Sequence, residues 1–328
     1  MRTPVPWNPP SEPFSLAQVA HLGVTDRRIE SALRHGQIVR LRRGVFVKAS
    51  ALPEDPVEAH LLRAQAVQVV TPGRVASHET AALAHGLPLR WTTRAAESDP
   101  AFSVAREEAG RRRSHNLNGI RHSSLPAHHV HRLPSGLAVT SPARTAVDLA
   151  STLPLPDALM VLDAALRLEL AGLVGRLDRR HYRDKRLVEA AHMPIREATE
   201  YLRPGHRRRV AAALAVADVG HESPLESYSG GRFHLAGLPA PSTQAPVATA
   251  AGTVYPDFCW ECWRVLGEAD GEGKYADAAA FAREKEREQL LREAGWQVVR
   301  WTGREGFGTP ELVDQRVARA LESAGWRP

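Results

Sequence analysis

The apolar positions along the chain change period several times, and the changes mark out its parts. Residues 1–13 are proline-rich without periodicity and predict a disordered arm. From Ser15 the spacing turns helical: Ser15 can cap a helix over 16–22 closed by Gly23, and Thr25 a second over 26–35 closed by Gly36. Ile29 and Leu33, four apart, would face the first helix. Residues 37–47 then alternate and turn at Arg43-Gly44, which predicts a two-stranded hairpin. Two short helices, a tight turn and a hairpin describe a winged helix-turn-helix over residues 14–50.

Residues 57–150 read as an α+β domain. Helices are predicted over 58–70 and 79–85, strands over 102–105, 119–122 and 130–137, and a further helix from Ser141-Pro142. Residues 154–218 read as a helical connector, with helices over 157–170, 172–183, 195–202 and 207–217. Residues 222–328 follow the order helix, three strands, helix, strand, helix, which describes an α/β sandwich. The fold class expected is therefore an α/β multidomain chain.

Charge adds one nudge. The 328 residues carry a net charge of +6, nearly all the positive charge being arginine, which suits phosphate and base-edge contacts. A GC-rich coding sequence would give the same bias. No stretch is apolar and long enough to span a membrane, and the first residues lack the apolar core of a signal peptide, so a cytoplasmic protein is expected. The two cysteines, Cys259 and Cys262, form a lone C-x-x-C without a second pair and read as ordinary reduced residues. The histidines His115, His122, His128, His129 and His131 match no ligand spacing and read as loop histidines.

Two constellations carry chemistry. The second helix and the hairpin present Arg27, Arg28, Arg34, Arg40, Arg42 and Arg43, the residues a recognition helix and wing would use on double-stranded DNA; a solvated arginine face is the alternative. Further on, alternation over 254–260 puts Tyr255, Asp257 and Cys259 on one face, and over 264–270 it groups Leu266, Glu268 and Asp270. If the two strands pair antiparallel, Asp257 lies beside Glu268. Carboxylates converging without a basic partner repel one another unless a cation sits between them, and hard oxygen ligands favour Mg²⁺ or Mn²⁺. Lys274, after Gly271 and Gly273, could stabilise charge on a phosphate. Glu226, in Ser223-Pro-Leu-Glu226, is either a helix-capping carboxylate or an auxiliary acid of the same site.

The run GVTDRRIESALRHGQIVRLRRGVF, with SHETAALAHGLPL and VTSPARTAVDLA further on, resembles the AbiEi-type antitoxins. That resemblance implies a transcriptional autorepressor of a bacterial type IV toxin–antitoxin system, with a cognate toxin. SPLES, YPDF, GEADGEGKY and AGWQVVRWT, over about 222–328, resemble the very-short-patch-repair endonucleases of the PD-(D/E)XK, restriction-endonuclease-like superfamily. This second resemblance implies a Mg-dependent endonuclease in which Pro256-Asp257 is the PD element and Glu268 the (D/E), the two holding the ion with Asp270 as a supporting ligand. Asp270 stands where the lysine belongs, and Lys274 is its displaced counterpart. The alternative is a non-catalytic, antitoxin-like regulator.

Overall fold

The computed structural model describes residues 7–105, 119–122, 125–270 and 278–328. The chain divides into two compact units, Met1–Thr145 and Ala146–Pro328.

The first unit opens on a short strand, β1 (Phe14–Ser15), then α1 (Leu16–Val19) with one more helical turn, and α2 (Asp26–Arg34). The expected hairpin follows as β2 (Ile38–Arg42) and β3 (Val45–Lys48). It is a three-stranded sheet in the order β1-β3-β2, because Phe14 pairs with Phe46. Two residues are too few to show a period, so sequence alternation misses β1. Phe14, Val19, Val24, Ile29, Ala32, Ile38 and Phe46 form the core, with Leu33 at its edge. Residues 7–13 are docked instead of free. Trp7 packs edge-on against Phe14, and the Lys48 ammonium donates to Asn8 (3.0 Å). Burying one indole against an aromatic offsets the ordering of several proline-rich residues.

Next come α3 (Pro56–Val70), capped by Asp55, then β4 (Val75–Ala76), α4 (His78–His85) and α5 (Thr92–Glu97). Strands β5 (Phe102–Ala105), β6 (Gly119–His122), β7 (Val130–Arg132) and β8 (Ala138–Thr140) complete a mixed sheet ordered β6-β5-β4-β8-β7. The single strand expected over 130–137 is thus two, β7 and β8, which pair antiparallel across the Gly136 turn.

Helix α6 (Pro142–Ala150) carries the chain into the second unit. There α7 (Leu155–Val174) is one continuous helix where two were expected, since Gly172 lies in its interior without ending it. Burial of Leu159, Leu162, Leu166 and Leu170 outweighs the roughly 1 kcal/mol that a helical glycine costs. Helix α8 (Lys185–Glu200), capped by Asp184, likewise runs through Pro194, where a start at 195 was expected. Its buried stripe of Ala191, Ile195 and Ala198 holds it. After α9 (Pro204–Leu214) comes α10 (Pro224–Leu235), which crosses α7 so closely that a Cβ on Gly231 would lie 2.7 Å from the Pro156 Cα.

Strands β9 (Ser242–Thr243), β10 (Val247–Thr249), β11 (Gly252–Val254), β12 (Phe258–Trp260) and β13 (Val265–Asp270) lead to α11 (Ala278–Glu293) and β14 (Gln297–Thr302). Helices α12 (Gly303–Gly308) and α13 (Pro310–Ser323) close the chain. The main sheet has the order β14-β13-β12-β9, with β12 and β13 antiparallel and β13 and β14 parallel. One face packs Phe258, Trp260, Val265 and Trp301 against Leu225 and Phe233 of α10 and Val313, Val317 and Leu321 of α13. The other packs Cys259 and Leu266 on Leu291 of α11. Helices therefore cover both faces, and the alternation read along 258–270 places these side chains correctly.

Candidate functional site

The β12–β13 ladder pairs Phe258 with Gly267, so one further step of the same register sets Asp257 opposite Glu268. Asp257 is in a bend ahead of β12. The strand expected over 254–260 is interrupted at 255–257, where Pro256 has no N–H to give a ladder. Instead the Asp257 carboxylate crosses to β13 and accepts the Ala269 N–H through Oδ2 (2.8 Å). Its other oxygen accepts from the Gln244 side-chain amide (3.3 Å). Gln244 is buried and holds a left-handed backbone (φ +48°), a strained conformation for a residue with a side chain. The Nε of Arg179 donates to its carbonyl oxygen (3.1 Å) and fixes which way the amide points.

Glu226 projects from the first turn of α10. Its N–H donates to the N-cap Ser223 hydroxyl (3.2 Å), and its carboxylate accepts from the N–H of Glu222 (2.8 Å), one residue ahead of the cap. Glu268 is reached from the other side of the sheet by α11, whose Arg287 donates to it (2.8 Å). Glu226, Asp257, Glu268, Arg179 and Arg287 all line one cavity of about 1170 Å³ in the second unit, together with the apolar Leu225 and Phe307.

Burial, and after it the charge of Asp257, push the carboxyls of Glu226 and Glu268 each up to about 7. Arg287 and Arg300 pull Glu268 the opposite way without reversing it. Three carboxyls converge in this cavity with Arg179, Arg287 and Arg304, and ionising Glu226 or Glu268 beside Asp257 carries a repulsion that a bound cation would relieve. Glu226, Asp257 and Glu268 do not each bring an oxygen within 4.8 Å of the others, and Arg287 holds Glu268 on its own side.

The remaining expected residues fall elsewhere. Asp270 is paired with Arg300 (3.2 Å) at the end of β13 and is not among the residues lining the cavity. Lys274, Gly271 and Gly273 lie outside the described residues, as does His115, and the side chain of His122 is also not described. Cys259 is buried and free, and Cys262 is exposed and free. Sequence reading missed Arg287, Arg179 and Gln244. For Arg287 the one available signal was its place four residues before the buried Leu291 on an otherwise charged helix.

In the first unit Arg27, Arg34, Arg40 and Arg43 are exposed on α2 and the hairpin. Arg28 is half-buried over the Trp7 ring (5.8 Å), and Arg40 lies over Phe46 (5.6 Å). Arg42 turns inward: its Nε and Nη1 are shut off from solvent.

Residues 11–47 match the family model described as a transcriptional regulator, AbiEi antitoxin, and residues 74–202 match the AbiEi antitoxin C-terminal domain. The chain is therefore similar to AbiEi antitoxins over these two stretches, in that order. Neither match reaches Asp257 and Glu268. Two uncharacterised proteins, from two strains of Mycobacterium tuberculosis, are each 33% identical over 193 residues, which is 58% of this chain and 64% of theirs. No helix among the described residues is long and apolar enough to cross a membrane.

Proposed function

We propose that this chain is a DNA-binding transcriptional regulator of the AbiEi antitoxin type, acting from the cytoplasm on double-stranded DNA and neutralising a cognate toxin. The observation that carries this reading is the pair of AbiEi domain matches, in the order of an antitoxin, with Arg27, Arg34, Arg40 and Arg43 exposed on the helix and hairpin of the first. In a winged helix-turn-helix, α2 would enter the major groove and the β2–β3 wing would lie on flanking phosphates. Footprinting on the chain's own promoter tests it: wild type should protect a site, and Arg40→Ala with Arg43→Ala should lose it. An unprotected promoter would remove the regulator.

A second reading is favoured by the cavity: a Mg²⁺- or Mn²⁺-dependent phosphodiesterase centre, related to the restriction-endonuclease-like enzymes. The donor set of Glu226, Asp257 and Glu268 fits such an ion in kind, being all hard carboxylate oxygens with two protons held unusually tightly. Asp257 and Glu268 would hold the ion, Glu226 would support it, and Asp270 would act through its ion pair with Arg300. A divalent ion there would polarise a scissile phosphate and lower the pKa of an attacking water. Gln244 and the Ala269 N–H keep the Asp257 carboxylate pointed at the site. Arg287, once released from Glu268, would offer a phosphate a guanidinium beside Arg179 and Arg304, and Lys274 would be the further cation that the family resemblance implies. Incubating supercoiled plasmid with either metal should nick it with wild type and not with Asp257→Ala; equal behaviour leaves the regulator alone.

A further inference from the structure

Arg42 ends β2, and Arg74 stands in the turn between α3 and β4, both within the first unit. A register shift between Arg40 and Arg42 in the β2–β3 ladder takes Arg42 out of the alternation that sets Arg40 over Phe46. The Nε and Nη1 of Arg42 and the Nη1 of Arg74 are all closed off from solvent, and none has a hydrogen-bond partner among the described residues. The two side chains lie within electrostatic reach: burial first, and then the charge of Arg42, hold the Arg74 guanidinium below its ordinary range.

This arrangement is costly in the free protein. A guanidinium cannot shed its proton at neutral pH, so each closed-off N–H without an acceptor carries a desolvation cost, while both side chains are only half-buried and keep an open edge for a ligand to approach. Placing two such cations together adds repulsion. What is missing is an acceptor with charge, two or more oxygens and a geometry that both forks can share, which describes a tetrahedral phosphate. Exposed Arg40 and Arg43 on the same hairpin favour a phosphate that belongs to a polyanion.

We infer that Arg42 and Arg74 form a two-arginine clamp for a single backbone phosphodiester of DNA, with Arg74, from outside the helix–hairpin segment, completing the contact made by the wing. The inference rests on the reading that the first unit binds DNA, and it adds a ligand site and a residue to it. Arg74 acts as a phosphate contact: it sets affinity and position and reads no base.

Two measurements on the full-length chain test the clamp. In the first, thermal unfolding is followed while inorganic phosphate replaces chloride at constant ionic strength. Wild type should gain stability with phosphate, Arg74→Gln should not, and Arg74→Lys should recover part of the gain. Equal phosphate shifts in wild type and Arg74→Gln would overturn the site. In the second, fluorescence anisotropy follows binding to short duplexes of different sequence at several salt concentrations. Arg74→Gln should weaken every duplex about tenfold and flatten the slope of log affinity against log salt by about one. An unchanged slope would overturn the phosphodiester assignment. Wild type that gains stability from phosphate yet binds no duplex would refute the DNA reading while leaving the anion site standing.

Discussion

Replacing Glu268 with glutamine should change how the stability of the second unit depends on pH, and in a direction the site dictates. Glu268 is 4% exposed and its carboxyl is held up to about 7, against 4.5 for an ordinary glutamate. Between those values the native chain keeps a proton that the unfolded chain has lost. The native state therefore binds more protons, and stability falls as pH rises through this window. The full penalty is present above pH 7 and corresponds to about 3 kcal/mol for one such group. Glu226 contributes in the same sense. Glutamine has the same shape and no proton to lose, so Glu268→Gln should match wild type near pH 4 and exceed it by roughly 3 kcal/mol at pH 8 in the presence of a chelator. Chemical denaturation at both pH values, followed by fluorescence of Trp260 and Trp301, which are buried in the sheet core, reads the difference. Manganese should stabilise wild type at pH 8 and have far less effect on the variant. Parallel pH profiles for the two proteins would refute the account, because Glu268 would then be ionised as readily in the fold as out of it.

Other consequences are quick to check. A Cβ at Gly267 would lie 2.9 Å from the Trp301 ring and 3.2 Å from the Phe258 Cβ, so Gly267→Ala should cost about 2 kcal/mol in denaturant unfolding. Titration with a thiol reagent should label one cysteine in the native chain. Cys262 is exposed, whereas burial pushes the Cys259 thiol up to about 11 and encloses it; two fast-reacting thiols would contradict the packing of β12.

The part of the site that sequence makes legible is the part built on strand periodicity. Asp257 and Glu268 could be placed opposite each other because alternation along 258–270 assigns faces, and the Phe258–Gly267 pairing then sets the register. Glu226 was visible through its capping motif, although its carboxylate turns to the Glu222 N–H. Helix ends were less legible. Gly172 and Pro194 read as breaks, and the burial that overrides them comes from residues distant in the chain. Least legible were Gln244, 13 residues from the Asp257 it holds, Arg179, 65 residues from the Gln244 amide it orients, and Arg287, 19 residues from Glu268, through pairs no local spacing encodes. That distribution has a physical meaning. The carboxylates sit where the sheet's own geometry puts them, while their charge is governed by helices packed on the sheet. The grip of Arg287 on Glu268 is such a control: α11 supplies the cation that balances one carboxylate while the cavity stays open. A cation that takes Glu268 would compete with Arg287 for this carboxylate, and Arg287 already lines the same cavity, where a phosphate is a partner its fork would fit. The charge on Glu268 thus depends on a cation carried by α11, the helix that follows the GEADGEGKY segment in the chain.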